Sequence, residues 1–335
     1  MRKTNVAIVG FGYWGPQLAR NLVKQENANL SYICDIDKKN LTKAEKSYPG
    51  ATVALDYKKA LADKKLDAII VATPANTHFK IAKESLLARK HVLVEKPFTS
   101  KITEGEELVK LADVVDKKIM VSFPFVYSES VEYIKKLIRS KSLGEIYYLE
   151  SIRVNLSPIR SDSGVIADLA IHDFSILEYI LNDRLISVRT IGSAPVKKLH
   201  VEMAHIYLKY KSGFTAHISV SWLSPLKIRS MTIGGEKQMI VFNDVEPSEK
   251  IRIFDRGADF AENTISPFTP LYRSGDITIP YLEQIEPLAT ELNHFILSIQ
   301  TNKNPKTSGK RALKIMQIIE AVNKSLASGK EEFLD

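Results

Sequence analysis

Short apolar runs alternate with amphipathic stretches over the first 122 residues of the chain. Residues 6–9 and 68–72 are continuous apolar runs, as in strands that are buried on both faces. Stretches with helical periodicity lie between such runs, for example residues 16–25 and 103–117. This alternation predicts an α/β domain whose doubly wound parallel sheet is covered by helices on both faces.

The pattern changes at Phe123-Pro124. From residue 186 to 254 the polarity alternates with period two in successive segments, which predicts a large, open, mostly antiparallel sheet. Residues 255–280 show little regularity and are expected to form a long loop. We therefore expect one domain over residues 1–122 and a second, α+β domain over residues 123–335. Predicted helices in the second part are residues 130–140, 169–181, 286–301 and 309–328.

Composition narrows the class of protein. The net charge is +8, but the lysines are scattered among acidic residues, so a nucleic-acid-binding surface is not expected. The chain has one cysteine, Cys34, and therefore no internal disulfide, as is usual in the cytoplasm. We find no signal-peptide pattern and no apolar run long enough to span a membrane. The sequence predicts a soluble cytoplasmic protein.

Residues 10–15 read GFGYWG, a G-x-G-x-x-G that follows a predicted strand and opens a predicted helix. In this context Gly10 permits the tight turn, Gly12 lets the backbone approach a pyrophosphate, and Gly15 allows close packing. Asp35 follows the next strand, where a carboxylate binds a ribose diol and repels the 2′-phosphate of NADP. NAD is therefore expected. Lys38 and Lys39 could pair with that phosphate, so NADP stays open.

Two further segments follow strands of the same predicted sheet, at the edge where such sheets bind ligands. ATPANTH (72–78) places Thr73 and Pro74 beside the nicotinamide ribose, while Asn76 and Thr77 could contact the cofactor, cap a helix, or both. VEKPF (94–98) places Lys96 at the crevice, where a partly desolvated lysine can exchange protons. A strand end with a surface ion pair is the alternative. The predicted cofactor contacts are Gly10, Gly12, Tyr13, Trp14, Gly15, Asp35, Thr73, Pro74, Asn76, His78, Glu95 and Lys96.

The second half contains GVIADLAIHD (164–173), in which Asp168 and His172 are spaced i, i+4. On a helix both can face one side, and the carboxylate can orient a histidine that exchanges protons. A capped helix with a buried histidine would give the same pattern.

These motifs, in this order and spacing, resemble the glucose–fructose oxidoreductase / inositol dehydrogenase (Gfo/Idh/MocA) family over nearly the whole chain. The resemblance implies catalytic roles for Lys96, Asp168 and His172, with the D-x-x-x-H facing the E-K-P lysine. It also implies an open sheet used for homodimers or homotetramers. The chain departs from the family at residues 163–167, where glycines are usual, and at Phe123, where a histidine often stands.

Residues 154–162 (VNLSPIRSD), 220–235 and 274–280 resemble sugar-nucleotide 3-dehydrogenases of this family. That likeness implies oxidation at C3 of a UDP-linked N-acetyl sugar, with hydride transfer to nicotinamide C4 and no metal. Arg160 and Ser161 would suit the diphosphate. The predicted substrate contacts are Lys96, Arg153, Asn155, Arg160, Ser161, Asp168 and His172, with Lys227 as a further candidate.

Other functions remain open. Within the family, the chain could be a free-sugar or inositol dehydrogenase, or a 3-ketosugar reductase. A non-catalytic regulator that senses NAD is an alternative of a different class. Such a regulator is expected to have lost Lys96 or His172, and this sequence keeps both.

Overall fold

The structure, a computed structural model, describes residues 2–161, 163–259 and 271–334. The chain divides into two compact units. The first consists of residues 1–128 and 285–317, and the second of residues 129–284 and 318–335. The first unit is therefore built from two stretches that are far apart in the sequence.

The described residues contain nine α-helices and two other helical turns. A 3-10 turn spans Pro124–Tyr127, and a π-helical turn spans Ile166–Ala170. The α-helices are α1 (Gly15–Leu22), α2 (Lys38–Ser47), α3 (Lys58–Leu61), α4 (Ala75–Leu87), α5 (Ile102–Val114), α6 (Glu129–Arg139), α7 (Ile171–Ile180), α8 (Pro287–Gln300) and α9 (Gly309–Ser328).

The first unit contains a six-stranded sheet in the order β3-β2-β1-β4-β5-β6, and every neighbouring pair is parallel. Its strands are β1 (Thr4–Val9), β2 (Ala28–Cys34), β3 (Thr52–Ala54), β4 (Ala68–Val71), β5 (His91–Val94) and β6 (Ile119–Val121). All four residues of β4 are buried, as expected for a strand covered on both faces. The strand order reverses between β1 and β4, and such sheets bind ligands at the carboxyl edge there. The predicted doubly wound sheet is confirmed.

Helix α8 completes the first unit from late in the chain. Leu288, Leu292, Phe295 and Ile296 recur at helical spacing and are buried. The helix packs against α1 and against the 3-10 turn that follows β6. This stripe also carries Glu291, an acidic residue that is fully buried.

The second unit contains a nine-stranded sheet in the order β14-β13-β12-β11-β7-β10-β9-β8-β15. Only β7 and β10 run parallel, so the predicted mostly antiparallel sheet is confirmed. The strands are β7 (Ile146–Leu156), β8 (Leu185–Ser193), β9 (Met203–Tyr210), β10 (Thr215–Ser221), β11 (Leu223–Gly235), β12 (Met239–Asn243), β13 (Ile251–Asp259), β14 (Leu271–Thr278) and β15 (Glu332–Phe333).

The prediction of a loop over residues 255–280 is wrong for residues 255–259 and 271–278, which form strands. β13 continues to Asp259, and β14 returns antiparallel to it from Leu271 to Thr278. Most described side chains of β14 are exposed, so this edge strand lacks the apolar alternation by which a strand is recognised. Residues 260–270 lie outside the described part of the chain.

None of the helices in the described part of the chain is both long enough and apolar enough to cross a membrane.

Candidate active site

The turn after β1 has the geometry of a phosphate-binding loop. Gly10 has φ +99°, and a Cβ there would lie 2.4 Å from the carbonyl oxygen of Ala72. A Cβ on Gly15 would lie 2.4 Å from the carbonyl oxygen of Gly10, whereas a Cβ on Gly12 would meet nothing within 4 Å. Helix α1 begins at this turn without a side-chain cap, so its N-terminus can bind an anion.

Asp35 lies directly after β2 and is tied to the same turn. Its Oδ2 accepts the backbone N–H of Phe11 at 2.6 Å, and its Oδ1 accepts that of Asp37 at 2.8 Å. Each carboxylate oxygen keeps acceptor capacity for a ribose hydroxyl. The neighbouring Ile36 is 93% exposed and could cover an adenine ring. The open space over Gly12 and the acid after β2 therefore fit a dinucleotide.

Contacts within the ATPANTH segment fix the turn after β4 and the start of helix α4. Helix α4 begins at Ala75 with Pro74 as its N-cap, so the alternative that Asn76 or Thr77 caps the helix is wrong. The hydroxyl of Thr77 donates to the carbonyl of Pro74 at 2.7 Å. Proline has no backbone N–H, and this is tolerated at the start of a helix because the first N–H groups have no intrahelical partner.

His78 is buried and braces the turns after β4 and β5. Its Nδ1 lies 2.8 Å from the carbonyl oxygen of Pro97, and its Nε2 lies 2.8 Å from that of Thr73. Burial lowers the pKa of the imidazole, although both carbonyls oppose this shift. A neutral ring has a single N–H, so it donates to one of these carbonyls at a time. His78 thus packs between the two turns that carry predicted cofactor residues.

Glu95, Lys96 and Pro97 follow β5 at the carboxyl edge of the sheet, as predicted. The Lys96–Pro97 peptide bond is cis. Burial raises the pKa of the Glu95 carboxyl to about 7. The charge of the neighbouring Lys96 acts in the opposite direction and lowers the pKa of that carboxyl.

In the second unit, Asp168 lies in the π-helical turn that runs directly into α7. The helical backbone thus starts at Ile166, three residues before Leu169, the first residue of the predicted helix. Asp168 Oδ2 accepts the indole N–H of Trp222 at 3.1 Å, and Oδ1 lies 3.8 Å from Nη1 of Arg160. π-Helical turns are rare and are often found at functional sites.

His172 is the second residue of α7, one helical turn after Asp168. Its carbonyl accepts the hydroxyl of Ser175 at 2.7 Å. The next residue, Asp173, is fully buried, so the start of α7 is anchored on its inner side.

The other predicted substrate residues differ in exposure. Arg153 is 4% exposed and forms a forked ion pair with Asp173, with Nε–Oδ2 2.9 Å and Nη2–Oδ1 3.1 Å. The Arg160 side chain is 49% exposed. The carbonyl of Ser161 lies 3.2 Å from Nε2 of His200, and Asn155 is half-buried on β7. Lys227 is exposed on β11. Arg160 thus has a guanidinium at the surface, while that of Arg153 is committed to a buried pair.

Sequence reasoning missed two residues that support these groups. Trp222, fully buried, orients Asp168 across 54 positions of sequence, and no local pattern marks it. Glu291 is bonded next to the carboxyl end of β6. The signal available for it was an acidic residue inside an apolar helical stripe. Among the described residues, no three His, Cys, Asp or Glu side chains are grouped as a metal site requires.

Two family models match the chain. One, described as an oxidoreductase family with an NAD-binding Rossmann fold, matches residues 4–123. The other, the GFO/IDH/MocA C-terminal domain, matches residues 131–241. The first match contains GFGYWG, ATPANTH and VEKPF, and the second contains GVIADLAIHD.

Relatives in sequence act on cyclic alcohols of two kinds. The chain is 24% identical to the myo-inositol 2-dehydrogenase of Thermotoga maritima over 332 residues, which is 96% of each chain. It is 28% identical to the UDP-N-acetylglucosamine 3-dehydrogenase of Acidithiobacillus ferrooxidans over 233 residues, 68% of this chain and 65% of that one.

Solved structures share the fold. The WlbA dehydrogenase of Bordetella pertussis, in complex with NADH and UDP-GlcNAcA, superposes with a TM-score of 0.83 at 20% identity. That match covers all of this chain and 98% of the other. The glycine turn, the acid after β2 and both family matches lead to one conclusion: the chain belongs to the Gfo/Idh/MocA family of NAD-binding oxidoreductases, which act on alcohol groups.

Proposed function

We propose that this protein is an NAD-dependent dehydrogenase that oxidises a secondary alcohol of a pyranose, at C3 of a UDP-linked N-acetyl sugar. The observation that carries the proposal is the anchored Asp168. Trp222 and Arg160 hold its carboxylate in a π-helical turn, one turn before His172. Such an orienting acid beside a histidine suits proton exchange with a substrate hydroxyl.

In this proposal the chain removes the hydroxyl proton and orients the sugar. Lys96 or His172 accepts the proton, and Asp168 keeps the neighbouring groups in place. Bound NAD supplies the hydride acceptor, nicotinamide C4. Gly10, Gly12 and Gly15 admit the pyrophosphate, while Thr73 and Pro74 lie beside the nicotinamide ribose.

The cofactor is proposed to be NAD because of the charge at Asp35. Its carboxylate is fixed by two backbone N–H groups, so it cannot easily turn away from a 2′-phosphate. Bringing a dianionic phosphate to that carboxylate would cost electrostatic energy.

The nucleotide-sugar substrate is supported by Arg160. A half-exposed guanidinium on a loop can bind a diphosphate through two parallel hydrogen bonds. The relative from Acidithiobacillus ferrooxidans acts on UDP-N-acetylglucosamine, which agrees with this proposal.

A free polyol is the second candidate substrate. A relative that matches over 96% of each chain is a myo-inositol 2-dehydrogenase. An inositol carries no diphosphate, so in that case Arg160→Ala would act only through the lost ion pair with Asp168. Reduction of a 3-ketosugar uses the same groups in the reverse direction, and a non-catalytic NAD sensor would show binding without turnover.

We also propose that the protein self-associates through the open face of its nine-stranded sheet and works in the cytoplasm. Exposed Tyr148, Ile191 and Tyr207 lie on that face. The single cysteine, Cys34, is buried and reduced, as is usual in a reducing compartment. Sedimentation of Tyr207→Glu beside the unaltered protein tests the self-association.

Formation of NADH is the test of function, measured by absorbance with NAD and a panel of UDP-sugars, free sugars and inositols. Turnover only with UDP-N-acetyl sugars is expected. Lys96→Ala should lower kcat by roughly two to four orders of magnitude if Lys96 is the base. Lys110→Ala, an exposed lysine on α5, is the matched control and should change nothing. Turnover with inositol alone would refute the nucleotide-sugar proposal.

A further inference from the structure

Two loops of the second unit contact each other beside the candidate substrate residues. The first, the Arg160 loop (residues 157–161), directly follows β7. The second, the hairpin loop (residues 194–202), joins the antiparallel strands β8 and β9. Arg160 is half-exposed and is the arginine proposed above to bind a diphosphate. The place of its guanidinium therefore depends on how the backbone of its own loop is held.

Two side chains of the hairpin loop bind the Arg160 loop, one on each side of the arginine. Nζ of Lys197 donates to the carbonyl of Ile159 at 2.9 Å. Nε2 of His200 lies 3.2 Å from the carbonyl oxygen of Ser161. Ile159 and Ser161 are the immediate neighbours of Arg160 in the sequence. The bond from the ammonium of Lys197 is charge-assisted, and such hydrogen bonds are stronger than those between neutral groups.

Glu202, the last residue of the hairpin loop, holds that loop in place. It is fully buried. Its Oε2 accepts the backbone N–H of Val196 at 2.8 Å, and its Oε1 accepts that of Lys197 at 2.6 Å. The backbone N–H of Glu202 donates to the carbonyl of Ser193 at 2.8 Å, which closes the hairpin. A buried carboxylate is costly unless it accepts hydrogen bonds, so the loop that supplies these donors is held where they are made.

The same loop is connected to the candidate proton-exchange group. The carbonyl of Glu202 accepts the backbone N–H of Trp222 at 3.0 Å, and the indole of Trp222 donates to Asp168. The carbonyl of Val201 accepts the backbone N–H of Val165 at 2.9 Å, directly before the π-helical turn. The hairpin loop thus contacts the chain both at the arginine and at the start of the π-helical turn.

We infer that the hairpin loop positions Arg160 for an anionic group of the substrate, with Lys197 and Glu202 as the positioning residues. Lys197 fixes the backbone next to the arginine, and Glu202 fixes the backbone of Lys197. This inference rests on the proposed function for the ligand of Arg160, a diphosphate. The contact between the two loops is a property of the second unit, so it is testable without any ligand.

Limited proteolysis of the full-length protein tests the contact between the loops. Trypsin cuts after Arg160 only when that loop leaves its folded conformation, so the rate of cutting reports how firmly the loop is held. Lys197→Met keeps a side chain of similar length but removes the donor, and the rate should rise about tenfold. Lys198→Met, at the next exposed lysine, is the matched control and should leave the rate unchanged. Equal rates in the unaltered protein and Lys197→Met would refute the contact.

Glu202→Gln tests the anchor of the hairpin loop. An amide has one oxygen that accepts and an NH₂ group that donates, so it accepts only one of the two backbone N–H groups. Cutting after Lys198 and after Arg160 should therefore both become faster. Faster cutting after Lys198 alone would show that Glu202 does not act on Arg160. If circular dichroism shows that Glu202→Gln does not fold, the exposed Lys197→Met decides.

Binding of UDP, measured by calorimetry, tests the role at the substrate. Lys197→Met should raise the Kd for UDP about fivefold, because the arginine loses part of its charge-assisted contact. The Kd for NAD should not change. In an Arg160→Ala background, Lys197→Met should have no further effect on UDP. An equal effect in both backgrounds would show that Lys197 acts independently of Arg160 and would refute the positioning role.

The two experiments separate this inference from the proposed function. If the unaltered protein does not bind UDP, the nucleotide-sugar proposal is refuted, together with the ligand assigned to Arg160. The contact between the loops would then still be decided by the proteolysis of Lys197→Met. If UDP binds and proteolysis is unchanged in Lys197→Met, the proposed function stands and the hairpin loop has no positioning role.

Discussion

At the scale of single residues, Gly12 and Gly15 are glycines for different reasons. A Cβ at Gly12 would enter empty space, whereas one at Gly15 would collide with the backbone of Gly10. Gly12→Ala should therefore keep the unfolding free energy within about 0.5 kcal/mol but weaken NAD binding about tenfold or more, because its methyl group occupies the pyrophosphate position. Urea unfolding and fluorescence titration with NAD measure the two effects.

Gly15→Ala is the matched comparison for Gly12→Ala. Its methyl group must displace backbone, so the unfolding free energy should fall by about 1–3 kcal/mol. If Gly12→Ala destabilises the fold while NAD affinity is unchanged, the turn is not the pyrophosphate site.

His91, at the start of β5, should make the protein sensitive to acid. Burial, with Lys117 and Lys118 nearby, lowers its pKa to about 4, and its Nδ1 accepts the N–H of Lys118 at 3.0 Å. The folded state thus favours the neutral ring. In the unfolded chain the pKa of His91 is about 6.5. The contribution of the neutral ring to stability is therefore fully present above that pH and is lost as the pH falls through about 4.

In His91→Gln, the loss of unfolding free energy between about pH 7 and pH 4 should be smaller by up to about 3 kcal/mol. Urea unfolding at both pH values measures it. His205→Gln, on β9, serves as the control, and an identical pH slope in both variants would contradict the prediction.

At the scale of elements, the π-helical turn depends on the corner between β10 and β11, where Trp222 lies. Trp222→Phe keeps an aromatic ring but removes the donor to Asp168. We expect kcat to fall about tenfold, from the loss of a hydrogen bond to a charged group, with KM for NAD unchanged. Phe214→Leu, a buried aromatic change in the turn before β10, should lower stability without this loss of kcat. Equal kcat values in the two variants would argue against the prediction.

Local patterns predicted the elements whose burial repeats along the chain, and they failed where burial or bonding depends on distant residues. The apolar runs of β1 and β4 and the alternation of β9 are set by nearby positions. Strand β14 is at a sheet edge and exposes most of its described side chains, so its residues carry no such signal.

For the candidate site, the glycine turn, Asp35 and the strand ends followed from motif and position. The buried pairing of Arg153 with Asp173 did not, because it joins a strand to a helix 20 residues further on. A sequence motif identifies candidate side chains, but only the tertiary contacts show which of them are exposed to a ligand.

At the scale of the whole molecule, the first unit needs residues 285–317. Leu292, Phe295 and Ile296 of α8 are fully buried there. A fragment of residues 1–128 should therefore lack a cooperative thermal transition, because it exposes the surface that α8 covers. The same fragment joined to residues 285–317 by a Gly/Ser linker should regain the transition and bind NAD. Calorimetry and fluorescence titration report both properties, and independent folding of residues 1–128 would contradict this.

Because the chain is synthesised from its N-terminus, the two stretches of the first unit are made at different times. A ribosome releases residues 1–128 first, but α8 begins only after 158 further residues (129–286) have been added. At roughly 5–20 residues per second, the nascent first unit waits roughly 8–30 s for its closing helix. During that interval the backbone N–H of Phe123 lacks Glu291, and the surface under α8 is open to chaperones. Most strands of the second unit lie within residues 129–284 and are made without such an interruption. The second unit can therefore begin to form its sheet before the first unit is complete.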